Sequence, residues 1–141
     1  MINSIFEQTS SDWVTLTVSF DKLTDYLITI NESHPLYTNK TIAIQAGYSD
    51  IPLPPAYPSL FWQFFTLPWM ENQSGVILTA EKYYYNEPLF INQHYEGQIT
   101  LKKLITRKNK QWVIHQLVIY QATKLIATVE TTLLLIKGAS Q

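Results

Sequence analysis

The stretch from Ile51 to Met70 constrains this chain more than any other. Pro52, Pro54 and Pro55 stiffen its start and favour extended backbone. Pro58 falls where a helix can begin, because a first-turn residue needs no intrahelical N–H partner. Nothing breaks a helix from there to Leu67, and Pro68 stops it. Leu60, Phe61, Phe64, Phe65 and Leu67 cover most of the circumference, with Gln63 and Thr66 as the polar exceptions. A helix that is apolar nearly all round is a buried one. The pattern therefore predicts a long central helix over 58–67 with other elements wrapped around it.

The rest of the chain supplies the wrapping. After Gly75 the residues alternate as strands do. The predicted strands are Val76–Tyr85, Gly97–Ile105, Trp112–Tyr120 and Lys124–Ile136, with a polar turn over Thr106–Gln111. In the last strand Leu125, Ala127, Val129, Thr131, Leu133 and Leu135 share the more apolar face, which should meet the helix. Short links imply antiparallel pairing. Earlier, Trp13–Phe20 alternates like a half-buried strand. Asp21 is a helix N-cap candidate, and Leu23, Tyr26, Leu27 and Ile30 have helical spacing over residues 22–30. Thr41–Ala46 reads as a short helix ended by Gly47. The fold class is α+β, an antiparallel sheet wrapped around a helix, in one domain over 1–141.

Composition narrows function. Hydrophobic residues make up 46% and charged residues 15%, so the chain can fill a core. A net charge of −1 and the lack of a long Lys/Arg run argue against nucleic acid as a partner. Without cysteine there is no disulfide, thiolate metal site or thiol nucleophile. His115 sits mid-strand with no carboxylate at ligand spacing, so no metal or other cofactor is implied. The first residues lack the basic and apolar regions of a signal peptide, and no apolar run is long enough to span a membrane. A cytoplasmic location is the expectation. The strands carry apolar residues on both faces, as in Trp112–Tyr120, which predicts a dimer.

Four strings resemble one family. Phe20–Leu27 is similar to an opening "D-I-x-x-Y-A" helix, and His34–Tyr37 to an "N-P-L-Y/H" turn. Ile51–Pro58 is similar to an "I-x-A-P-P-T-x-P" loop, and Leu78–Leu89 to "L-H-G-E-Q-x-F-x-Y-x-R-P-L". In this order and spacing they resemble the MaoC-like dehydratases of the hotdog fold, in particular the N-terminal, FAS1-like type. The resemblance implies acyl thioesters of coenzyme A or acyl carrier protein as ligands. It also implies reversible dehydration of a 3-hydroxyacyl chain, a place in fatty acid metabolism, and pairing of two hotdog units as a homodimer or heterodimer. In the family an Asp and a His five residues later perform the acid–base work. Backbone N–H groups at the start of the central helix polarise the carbonyl.

This chain departs from that pattern. The Asp position falls on Glu32, one methylene longer, and the His position on Tyr37, whose phenol is a poor base at neutral pH. Thr79 stands where relatives often carry His, and Ala80 replaces Gly. Glu32, His34 and Tyr37 are the catalytic candidates. Glu32 also reads as a solvated turn carboxylate, His34 as a surface residue before proline, and Tyr37 as a half-buried aromatic or a thioester hydrogen-bond donor. Pro54, Pro55, Tyr57 and Thr79 are the substrate-binding candidates, and packing is the alternative for each. The preferred reading is the substrate-binding half of a dehydratase or hydratase. The alternative is a thioesterase, or a non-enzymatic acyl-CoA-binding homodimer.

Overall fold

The computed structural model of the chain describes residues 1–138. A five-stranded antiparallel sheet in the order β1-β3-β4-β5-β2 forms one layer. Its strands are β1 (Val14–Leu16), β2 (Ile77–Tyr85), β3 (Tyr95–Arg107), β4 (Lys110–Gln121) and β5 (Lys124–Ile136). The helical elements pack on one face. They are α1 (Phe20–Thr29), α2 (Lys40–Gln45) and a 3₁₀ helix over Tyr57–Phe64, with shorter 3₁₀ turns elsewhere.

The predicted β3–β5 meander is present, with longer strands and tighter turns. The turn expected over Thr106–Gln111 shrinks to Lys108 and Asn109, and strand pairing runs on to Arg107 and Lys110. In β5, Ala127, Val129, Thr131 and Leu135 are buried on the inner face as expected. Near the start of β5 the register with β4 shifts at Tyr120, and Ile126 also becomes buried. A bulge of this kind adds one residue and reverses the facing side chains around it.

The central element differs from its prediction. Over 58–67 there is no long α-helix; the 3₁₀ helix ends at Phe64 and Phe65 is already extended. Only Tyr57, Pro58 and Phe61 are buried in it, while Leu60 is 37% and Phe64 53% exposed. Two causes are visible in the residues. The proline-rich approach sets up i→i+3 bonds, with the Tyr57 N–H donating to the Pro54 carbonyl at 3.0 Å and Ser59 to Ala56 at 3.2 Å. Phe61, Trp62, Phe64 and Phe65 are also middling helix formers, and a 3₁₀ ridge aligns residues three apart. Phe61 and, from α1, Leu23 and Leu27 are buried in the same core as the inner-face residues of the sheet, where Trp62 and Trp69 pack on His115 of β4. At ten residues α1 is the longest helix.

Two further boundaries move. β1 stops at Leu16 rather than Phe20, and α1 begins at Phe20. Its N-cap is Ser19, whose hydroxyl accepts from the Lys22 N–H at 3.2 Å; Asp21 lies within the first turn. There an acidic side chain complements the helix dipole without capping it. α2 is capped by the Asn39 side chain, and Gly47 follows with φ +100°.

Gly97 on β3 shows how tightly its neighbours on β1 and β4 and the chain at Phe65 pack around it. A Cβ there would lie 2.6 Å from Leu16 Cδ1, 3.1 Å from Phe65 Cζ and 3.3 Å from Leu117 Cδ1.

Candidate functional site

The loop from Tyr48 to Ala56 is held as a short extra ladder against the segment after β2. Leu53 N–H donates to the Leu89 carbonyl at 2.7 Å, Ile91 N–H to Ile51 at 3.2 Å, and Pro52 bridges Phe90. Leu53 and Leu89 are buried by this pairing. Together with the Pro35–Tyr37 turn and the end of β2 they enclose a cavity of about 260 Å3. Leu36, Leu53 and Leu89 give it an apolar lining, Pro52, Pro55 and Pro88 stiffen the walls, and Tyr37, Tyr48 and Tyr85 add phenol groups.

Of the seven candidates, Tyr37 and Pro55 meet in this cavity. Burial, then the neighbouring Glu32, Tyr48 and Tyr26, hold the Tyr37 phenol above its ordinary value. At neutral pH Tyr37 is thus an O–H donor and not a base.

Glu32 is exposed on the turn after α1. Its Oε2 accepts from the backbone N–H groups of Ser33 (3.1 Å) and His34 (3.2 Å). His34 caps the next turn, with Nδ1 accepting from the Leu36 N–H at 3.0 Å. A neutral imidazole has one acceptor nitrogen. While His34 caps this turn, its lone pair is occupied and the other nitrogen carries the proton.

The remaining candidates lie elsewhere. Pro54 is buried behind the cavity wall. Tyr57 packs edge-on against Tyr26 (4.9 Å) and Phe61 (5.7 Å), lining a separate cleft beside α1. Thr79 is the bulged residue of β2, and its hydroxyl donates to the Thr132 carbonyl at 3.0 Å.

At the start of the 3₁₀ helix, Pro54, Pro55 and Pro58 have no N–H. The N–H groups of Tyr57 and Ser59 are directed at the Pro54 and Ala56 carbonyls. Tyr85 ties this segment to the edge strand by donating to the Pro55 carbonyl at 2.5 Å, while the Tyr83 hydroxyl donates to Glu81. Burial, and then Glu81, raise the Tyr83 phenol; burial and then Tyr26 raise Tyr85.

Sequence reasoning missed Tyr48, Tyr85 and Glu87 as cavity residues. Tyr85 lies in the tyrosine run 83–85, where strand propensity masked its role. Tyr48 sits right after Gly47, and the left-handed backbone there turns the chain back toward the cavity. That glycine was the available signal.

A second polar cluster lies inside the sheet. His115, Thr131 and Glu81 are cross-strand neighbours on β4, β5 and β2. Thr131 donates to Glu81 at 3.3 Å. His115 is fully buried, stacks on Trp69 and meets Trp62 edge-on, and its Nε2 accepts from the Trp69 indole N–H at 2.8 Å. Its Nδ1 has no protein partner among the described residues.

Comparison with known proteins follows the same lines. Residues 8–109 match the model of the FAS1-like dehydratase domain region. No curated protein sequence matches. Among solved structures, the chain is similar to a subunit of the HadBC (3R-hydroxyacyl-ACP dehydratase) complex of Mycobacterium tuberculosis. That match has TM-score 0.79 at 13% identity and covers 92% of this chain and 96% of the other. The ChsH1–ChsH2 complex of the same organism matches with TM-score 0.75 at 17% identity, covering 94% and 92%. The (R)-hydratase of A. caviae involved in PHA biosynthesis matches with TM-score 0.70 at 13% identity, covering 93% and 97%.

Proposed function

We propose a function from one premise: the chain belongs to the FAS1-like dehydratase family and has the α+β hotdog fold of its structural neighbours. On that premise it is the acyl-thioester-binding half of a 3-hydroxyacyl-thioester dehydratase or hydratase, acting with a second hotdog subunit that supplies the acid and base. One observation carries this reading. An apolar cavity lies beside the position of the family's histidine, yet that position holds a phenol in place of the imidazole base and the carboxylate at the other position is held on an exposed turn. Glu32 is exposed and bound to its own turn, and Tyr37 holds its proton.

At the start of the 3₁₀ helix the N–H groups of Tyr57 and Ser59 are taken up by the Pro54 and Ala56 carbonyls. Support for a partner comes from β2. It is one of the two edge strands of the sheet and exposes Ile77, Leu78, Tyr84 and Tyr85. A long apolar edge strand is a template for pairing with another chain. Two of the similar structures are complexes of paired chains.

The purified chain alone should not hydrate crotonyl-CoA above background, and short acyl-CoAs should raise its melting temperature by binding the native state. Robust hydration by the isolated chain would reject the non-catalytic assignment. Absence of any thermal shift with acyl-CoA or acyl carrier protein thioesters would reject the ligand class. Thioester hydrolysis lost in Glu32→Ala would replace this reading with a thioesterase.

A further inference from the structure

The cavity contains two phenol groups that the fold does not use. Tyr37 and Tyr48 both line it and both are half-buried. Other polar groups of the lining are engaged: Tyr85 donates to the Pro55 carbonyl, Asn86 to the Leu125 carbonyl at 3.0 Å, and Glu87 is paired with Lys124 at 2.7 Å. The hydroxyls of Tyr37 and Tyr48 hydrogen-bond to no protein group among the described residues. Each ring has an aromatic neighbour. Tyr48 lies edge-on to Phe90 (6.4 Å) and Tyr37 edge-on to His34 (6.3 Å). The backbone N–H of Tyr48 donates to Ala43 and that of Tyr37 to His34.

An O–H donor without a protein acceptor, set in a mostly apolar cavity, is suited to an acceptor oxygen brought by a ligand. Fixed donors aimed at a carbonyl oxygen are worth more in such a site than in water. We infer that Tyr37 and Tyr48 together bind the carbonyl oxygen of the thioester, with the acyl chain against Leu53 and Leu89. This rests on the acyl-thioester reading above. The cavity, of about 260 Å3 and lined by Leu53 and Leu89, suits a short acyl chain.

The test compares butyryl-CoA with S-butyl-CoA, a thioether without the carbonyl, by calorimetry on the full chain. Wild type should bind butyryl-CoA more tightly. Tyr37→Phe and Tyr48→Phe should each weaken butyryl-CoA binding roughly three- to tenfold, the worth of one hydrogen bond. Thioether binding and melting temperature should stay unchanged, since neither hydroxyl holds a protein group. With a 13C-labelled carbonyl, the bound C=O stretch should fall in wild type and rise again in either variant. Equal loss for both ligands, or no loss for either, would overturn the pair while leaving acyl-thioester binding standing. If wild type bound neither ligand, the acyl-thioester reading would fall and this inference with it.

Discussion

Two regions hold this protein's chemically versatile side chains, and they treat them in opposite ways. In the turn from Glu32 to Tyr37, Glu32 and His34 are exposed, and Glu32 Oε2 and His34 Nδ1 accept from neighbouring N–H groups. On the inner face of the sheet, His115 and Thr131 are withdrawn from water and bonded to residues distant in sequence. The family pattern places chemistry in the first region, while the second reads in sequence as an ordinary strand. The difference teaches that residue type at a position does not decide its role. What decides it is whether an atom still has a free lone pair or proton, and whether water can reach it.

The largest test of this contrast is acid. Burial lowers His115 from its ordinary value to about 4. The folded state keeps the imidazole neutral, while the unfolded chain protonates near 6.5. Between those values the unfolded state binds more protons, so stability is full above about pH 6.5 and declines toward pH 4, by about 3 kcal/mol from this group. Urea titrations across that window should show the decline in wild type and a flatter curve in His115→Gln. Parallel curves would break the contrast from the sheet side.

Next is Trp69→Phe, which leaves the buried Nε2 of His115 without its donor. A loss of about 1–3 kcal/mol is expected from chemical denaturation. A smaller effect, about 1 kcal/mol or less, should follow His34→Ala, which removes the cap of the Pro35–Tyr37 turn. The smallest belongs to Glu32→Gln. It keeps an acceptor on an exposed turn and should change stability by no more than about 0.5 kcal/mol. If Glu32→Gln proved as costly as Trp69→Phe, the turn would have to be counted with the interior.

Sequence reading succeeded where one physical rule dominates. In β3–β5 alternation fixes the faces, and the residues Lys108–Asn109 and Ala122–Thr123 join neighbouring strands. It failed where local rules compete. From Tyr57 to Phe65 the apolar pattern favoured a buried helix, whereas the preceding prolines and clustered aromatics produced a short 3₁₀ helix with Leu60 and Phe64 outside. The cavity was legible only in part. Tyr37 and Pro55 were found through the family strings, but Tyr48 reaches them through a backbone reversal at Gly47 and Tyr85 through a hydrogen bond that no spacing encodes.

The strand order has a consequence for how the sheet is assembled. β3, β4 and β5 pair with their neighbours in the chain, so they can zip together early and at little loop-closure cost. β2 precedes them yet docks beyond β5, with Glu81 and Thr131 meeting across fifty residues of chain. It should therefore be among the last segments secured and among the first released, and its amides should exchange with deuterium faster than those of β4. A partner seated along that margin would act as a clasp, slowing the exchange and converting the least anchored strand into a seam between two chains.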